Sequence, residues 1–144
     1  MKKILTFVFC LSMIVFSGKM VQAMEIQPYA GYWHNFSLKV PINGVNVSTG
    51  QATKWSADPY GRVCVSGIAQ SYCWGVRMWI ADSVQKKLTN IAIYTGNTGR
   101  CFELLYDDPI DARGKGVRLT MDSTNDQWSA IDIYGQWSPD MAGS

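Results

Sequence analysis

Residues 40–47 read Val40-Pro41-Ile42-Asn43-Gly44-Val45-Asn46-Val47, an Asn-Gly pair set between apolar residues. Asn and Gly both accept positive φ, so the pair favours a two-residue turn of type I′. The pattern predicts a hairpin with arms over residues 32–42 and 45–53. Pro41 has no N–H to give to a ladder, which places its arm at a sheet edge. Alternate side chains on a strand face opposite ways. Tyr32, Phe36, Leu38 and Val40 then share one face, assigned to the core, and Trp33, Asn35, Ser37 and Lys39 share the other.

Working outward from the turn, Arg62 to Ile68 reads as a third strand, with Val63 and Val65 on one side. From Val76 the period changes. Ile80, Val84, Leu88 and Ile91 recur at helical spacing, with Asp82, Gln85, Lys86 and Lys87 opposite them, and this predicts one helix. Its end is ambiguous because Ile91 to Tyr94 could start a strand, and Gly96-Asn97-Thr98-Gly99 must turn. Cys101 to Tyr106, Val117 to Met121 and Ser129 to Tyr134 follow as strands, separated by Arg113 to Gly116 and Asp122 to Gln127. The expected fold is mainly β with one helix, a small OB-fold-like barrel of five or six strands. A half-open sheet with a packed helix fits the same pattern.

The N-terminus carries Met1-Lys2-Lys3, an apolar run from Ile4 to Phe16, and small residues up to Ala23. That order is the signature of a cleavable signal peptide over residues 1–23. Ser17, Gly18 and Lys19 end the run short of a membrane span. Residues 24–144 form the expected single domain, exported to the periplasm or secreted. Removing 23 of 144 residues leaves 121, and removes three of 13 basic residues, so 10 face 11 acidic ones and the net charge is −1. A balance of that sign argues against nucleic-acid binding. No later stretch is apolar enough to span a bilayer.

Cys10 falls in the leader, leaving Cys64, Cys73 and Cys101. A turn over Gly67 to Ser71 could fold two strands back on each other, so Cys64 and Cys73 are the expected disulfide and Cys101 the free thiol. No metal site is expected, since the cysteines lack C-x-x-C spacing and the one histidine, His34, is far away in sequence. No cofactor is expected either. No nucleophile motif is present, and the adjacent carboxylates of Asp107-Asp108 point to opposite sides of a strand, so the chain is not expected to be an enzyme. Asp107-Asp108 reads as a charged strand end before Pro109.

Binding has better support. Trp33, Asn35, Ser37 and Lys39 would set an aromatic plate beside an amide, a hydroxyl and an ammonium, a combination suited to a polar ligand such as a sugar. An ordinary solvated strand face is the plainer reading of the same residues. Six tryptophans and seven tyrosines, all beyond the leader, exceed what one small core absorbs, so some should lie at an interface.

Four local features resemble the B subunits of AB5-type toxins, in the subtilase cytotoxin, typhoid toxin and pertussis-like branch. They are Phe36-Ser37-x-x-Val40, Ser48-Thr49-Gly50-Gln51, Cys64 and Cys73 with Trp74-Gly75, and Tyr94-Thr95-Gly96 followed by Leu105-Tyr106-Asp107-Asp108-Pro109. The likeness spans about residues 35–109. It departs from the family in a shorter loop between the cysteines, an extra Cys101 and no C-terminal disulfide. The resemblance implies an OB-fold protomer, a homopentameric ring, cell-surface sialylated glycans as ligands and an enzymatic A subunit as partner. It assigns Ser37 to the sugar carboxylate and Tyr106 to a flanking contact. Lys39 joins them from strand geometry, two residues along on the same face. A monomeric periplasmic inhibitor or immunity protein, inserting the loop from Asp107 to Gly116, is the competing expectation, and an adhesin-type module without a ring is a third.

Overall fold

Alternating apolar residues give nine strands in the computed structural model, which describes residues 32–141; the leader read at 1–23 lies outside them. In chain order these are β1 (His34–Val40), β2 (Val47–Ser48), β3 (Ala52–Thr53), β4 (Tyr60–Ile68), β5 (Cys73–Asp82), β6 (Ala92–Gly96), β7 (Arg100–Leu105), β8 (Gly116–Ser123) and β9 (Ile131–Ser138). One helical turn, α1 (Pro109–Ala112), precedes β8. The chain is mainly β, as its patterning predicts.

The strands form two antiparallel sheets. One has the order β1-β9-β4-β7; the other has β2-β8-β5-β6, with β3 also on β8. No ladder among the described residues closes the two into one ring. Their inner faces share a core in which Phe36, Val40, Val63 and Val65 from the first sheet meet Val76, Met78, Ile80, Leu119 and Met121 from the second. β9 shows the period most cleanly, with Ile131, Ile133 and Trp137 buried and Tyr134 and Gln136 exposed. Each side chain so buried stabilises the fold by about 1.5–3 kcal/mol.

Three expectations need correction. The Asn-Gly turn forms, with φ of 70° at Asn43 and 66° at Gly44. It does not close a hairpin, however. β1 pairs with β9 and β2 pairs with β8, so the turn carries the chain from one sheet to the other. The β1–β9 ladder ends at Val40 opposite Ile131, and Pro41, with no donor, lies just beyond it. The helix read from Val76 is the strand β5. This strand lies between β8 and β6, and it is buried on both faces from Met78 to Ala81. A strand buried on both faces loses its alternation and can mimic a helical stripe. Val84, on the supposed apolar stripe, is 79 % exposed in a turn that Asp82 holds by accepting from the N–H groups of Val84 and Lys86. Tyr32, assigned to the core, is 60 % exposed ahead of β1.

The disulfide is also corrected. Cys64 bonds to Cys101, its direct partner in the β4–β7 ladder, with Cα atoms 3.9 Å apart. Cys73 is the free thiol. The segment after Cys64 does not fold back as a hairpin; it crosses into the other sheet. Cys64 therefore points to the outer face while Cys73 lies in the core. Burial pushes the Cys73 thiol up, against a smaller opposing effect of the Gly75 backbone, and its sulfur lies 3.7 Å from the Tyr94 carbonyl. A thiol so placed is inert.

Candidate functional site

β1 is an edge strand, and its outward residues Asn35, Ser37 and Lys39 are exposed, as the strand period predicts. The ladder with β9 sets a polar or aromatic partner beside each. Asn35 faces Gln136, Ser37 faces Tyr134 and Lys39 faces Asp132. Gln136 Nε2 donates to Asn35 Oδ1 at 2.9 Å, which leaves the remaining amide groups aimed outward. Asp132 is bracketed by Gln70, whose amide donates to its carboxylate and whose oxygen accepts from its backbone N–H, both at 2.9 Å.

Tyr134 is 46 % exposed, and its next neighbour across the sheet is Gly67. A Cβ at Gly67 would stand 2.6 Å from the Tyr134 hydroxyl oxygen, so the missing side chain is what gives the outer half of the ring its seat. The ring thus leans across β9 toward β4, while on the β1 side its ladder partner is Ser37, set between Asn35 and Lys39.

Along the free side of β1 runs a groove of about 210 Å³, lined by Asn35, Phe36, Ser37 and Leu38 and, across from them, Ser48, Thr49 and Gly50. The second wall is held in place by its own hydroxyls. Ser48 Oγ shares a 2.9 Å hydrogen bond with Thr120 Oγ1, and Thr49 Oγ1 accepts from the Leu119 N–H at 3.2 Å. Two of the short motifs noted in the sequence thus face each other across one groove.

The other predicted site residues sit elsewhere. Trp33 immediately precedes β1 and is 37 % exposed, outside the ladder with β9. Tyr106, expected as a flanking contact, is a core residue, 3 % exposed, whose hydroxyl donates to the Pro139 carbonyl at 2.8 Å. Burial, with a smaller contribution from the Asp140 charge, pushes its phenol far above the usual range. Tyr106 lies inside because Thr89 bridges it on one side and Lys54 Nζ stands 4.8 Å over its ring.

That lysine belongs to a cluster with no signal in the sequence. Lys54 is fully buried and its Nζ lies 2.6 Å from Asp140 Oδ1. Asp140 also accepts from Ser56 Oγ at 2.6 Å and from the backbone N–H groups of Trp55 and Ser56 at 3.0 and 3.1 Å. Burial opposes charge on Asp140, but the hydrogen bonds from Lys54, Ser56 and the two backbone groups outweigh it and hold the carboxyl below its ordinary range. Beside the cluster a small hollow of about 80 Å³ opens between Tyr32, His34, Thr53, Trp55, Pro139 and Asp140. His34 leans on the buried Trp137 ring with centroids 5.6 Å apart.

Asp132 and Tyr134 fall in the last expected strand and Gln136 just beyond it, but nothing in the sequence assigns that strand as the partner of β1. Among the described residues no three His, Cys, Asp or Glu side chains gather as a metal site, and no helix is long and apolar enough to cross a membrane. No family model, no curated protein and no solved structure matches the chain.

Proposed function

We propose that the chain is an exported, non-catalytic recognition module for cell-surface glycans, with a sialic-acid-type sugar bound at the outer edge of β1. The observation that carries this reading is that Ser37, which lines the groove, is paired across the ladder with Tyr134, a half-exposed ring on the same sheet seated over Gly67. The Tyr134 ring offers a surface to the C–H face of a sugar, and a hydroxyl, two amides and an ammonium on the same outer face can fix hydroxyls and a carboxylate. In this reading Ser37 and Lys39 take the carboxylate and Asn35 and Gln136 take ring hydroxyls. The intact intramolecular disulfide is compatible with an oxidising compartment.

A groove this open gives a weak site, near millimolar, corresponding to about 4 kcal/mol. Such a site becomes effective when several act together, which is the use of the homopentameric ring with an enzymatic partner that the toxin resemblance implies. A glycan array probed with the wild type and Ser37→Ala tests the site. The wild type should bind sialylated glycans and the variant should not; equal binding, or none by the wild type, overturns the proposal. Light scattering on the eluted protein separates a pentamer from a monomer.

One observation favours a second reading, a monomeric periplasmic inhibitor. Ile110 is 76 % exposed on the turn α1, and Asp108 caps that turn by accepting from the N–H groups of Ile110 and Asp111. A firm loop with an apolar tip suits insertion into an enzyme cleft. A monomer that binds no glycan would support it.

A further inference from the structure

We infer that the groove beside Ser37 and the aromatic hollow at the start of β1 are two subsites of one cleft, built for a linear oligosaccharide rather than a single sugar. The inference rests on the glycan reading and deepens it. The terminal acidic sugar lies at Ser37, and a neutral ring further along the oligosaccharide lies against Trp55 and Tyr32.

Chain direction supplies the first argument. Residues 35–38 of β1 face 48–50 across the groove, and Tyr32 and His34 face Thr53 and Trp55 across the hollow. The two walls run in opposite directions, so the hollow continues the same seam between the sheets. At about 3.3 Å per residue, its centre lies about 12 Å along the wall from that of the groove.

Chemistry supplies the second. Trp55 is 44 % exposed and Tyr32 60 % exposed, so the hollow has aromatic walls open to solvent. Its one carboxylate is spent: Asp140 already accepts from Lys54, Ser56 and the Trp55 N–H, and the ion pair leaves no net charge for a ligand. The same bond to the Trp55 N–H fixes the segment that carries the indole. An aromatic hollow whose carboxylate is already paired, along from a hydroxyl-lined groove with exposed Lys39 on the adjoining strand, matches a neutral sugar in a chain that ends in an acidic one. At about 80 Å³, against roughly 30 Å³ per water, it admits the edge of a ring and not a whole one. A peptide added as a further strand fits less well, because Lys39 and Pro41 guard the β1 edge.

His34 is the only histidine in the chain, so in untagged protein its imidazole Cε1–H resonance reports on the hollow alone. We would titrate the wild type and Trp55→Ala with 3′-sialyllactose and with N-acetylneuraminic acid. The trisaccharide should bind the wild type about five- to tenfold more tightly than the monosaccharide. It should also shift the His34 resonance, which the monosaccharide should leave in place. Trp55→Ala should bring the trisaccharide down to the affinity of the monosaccharide without changing the latter. A stationary His34 resonance at trisaccharide saturation, or equal effects of Trp55→Ala on both ligands, overturns the two-subsite cleft and leaves the Ser37 site standing. If neither sugar binds, the glycan reading fails and the cleft fails with it.

Discussion

Replacing Asp140 with Asn should be among the most destabilising single changes in this protein that remove no apolar contact. The substitution keeps the shape of the side chain but removes its charge. Lys54 is then left as an ammonium at 0 % exposure, with a neutral amide where its carboxylate stood 2.6 Å away. The four donors converging on Asp140 also lose their charged acceptor. Stranding one member of a buried pair costs about 3–5 kcal/mol. A domain of this size is stable by about 5–15 kcal/mol in total, so much of its stability is at stake. Urea denaturation at pH 7 should show the midpoint falling by that free energy divided by the m-value, with the m-value itself unchanged. Lys54→Met combined with Asp140→Asn should recover much of the loss, because no charge is then left buried. The pH dependence carries its own sign. The folded pKa of Asp140 lies below its unfolded value of about 3.9, so its contribution is complete above that value and is lost as pH falls through the folded pKa. The deficit of Asp140→Asn should therefore be constant from pH 7 to 5 and shrink below about pH 4. A loss under about 1 kcal/mol at pH 7 would refute the view that this pair is dry and coupled.

Non-reducing peptide mapping should recover Cys64 joined to Cys101, and Cys73 should alkylate only after unfolding. Replacing both bonded cysteines with Ala should cost up to about 4 kcal/mol by the loop-entropy relation for the 37-residue separation, read as a shift in the urea midpoint. Gly67→Ala should cost about 1 kcal/mol or less, because only the mobile end of the Tyr134 side chain must yield, yet it should weaken glycan binding by tilting the plate. Calorimetric titration and urea denaturation on the same sample separate the two effects. Gly135→Ala should be far worse for folding, about 3 kcal/mol, since its Cβ would run into the Cys64 carbonyl where β4 bulges between Val65 and Gly67. A soluble Gly135→Ala protein with wild-type stability would contradict that packing.

Local chemistry was legible in the sequence and long-range pairing was not. The Asn43-Gly44 turn, the inward Val63 and Val65 and the outward Asn35, Ser37 and Lys39 all follow from φ preferences and a period of two. Which strand lies beside which does not follow from either. Ser37 could be placed on a face, but its neighbour Tyr134 comes from a strand almost a hundred residues later. The same gap produced the wrong disulfide, since nearness along the chain stood in for nearness in space. β5 was misread because burial on both faces removed the alternation. Lys54 and Asp140 gave no sign of being buried, since a lone lysine and a late aspartate look like surface residues until their sheets are assembled.

The native bond joins cysteines 37 positions apart, while Cys73 stands only nine after Cys64. In a reduced, newly made chain the shorter loop closes more often, by about eightfold if closure scales as the three-halves power of length. Oxidation before folding would thus capture the 64–73 pair first, and that pair is incompatible with a core that needs Cys73 as a buried thiol. Maturation then depends on the order of two events, sheet assembly and thiol oxidation. A chain oxidised too early must be reshuffled, and Cys101, exposed on the outer strand, is the thiolate placed to do it.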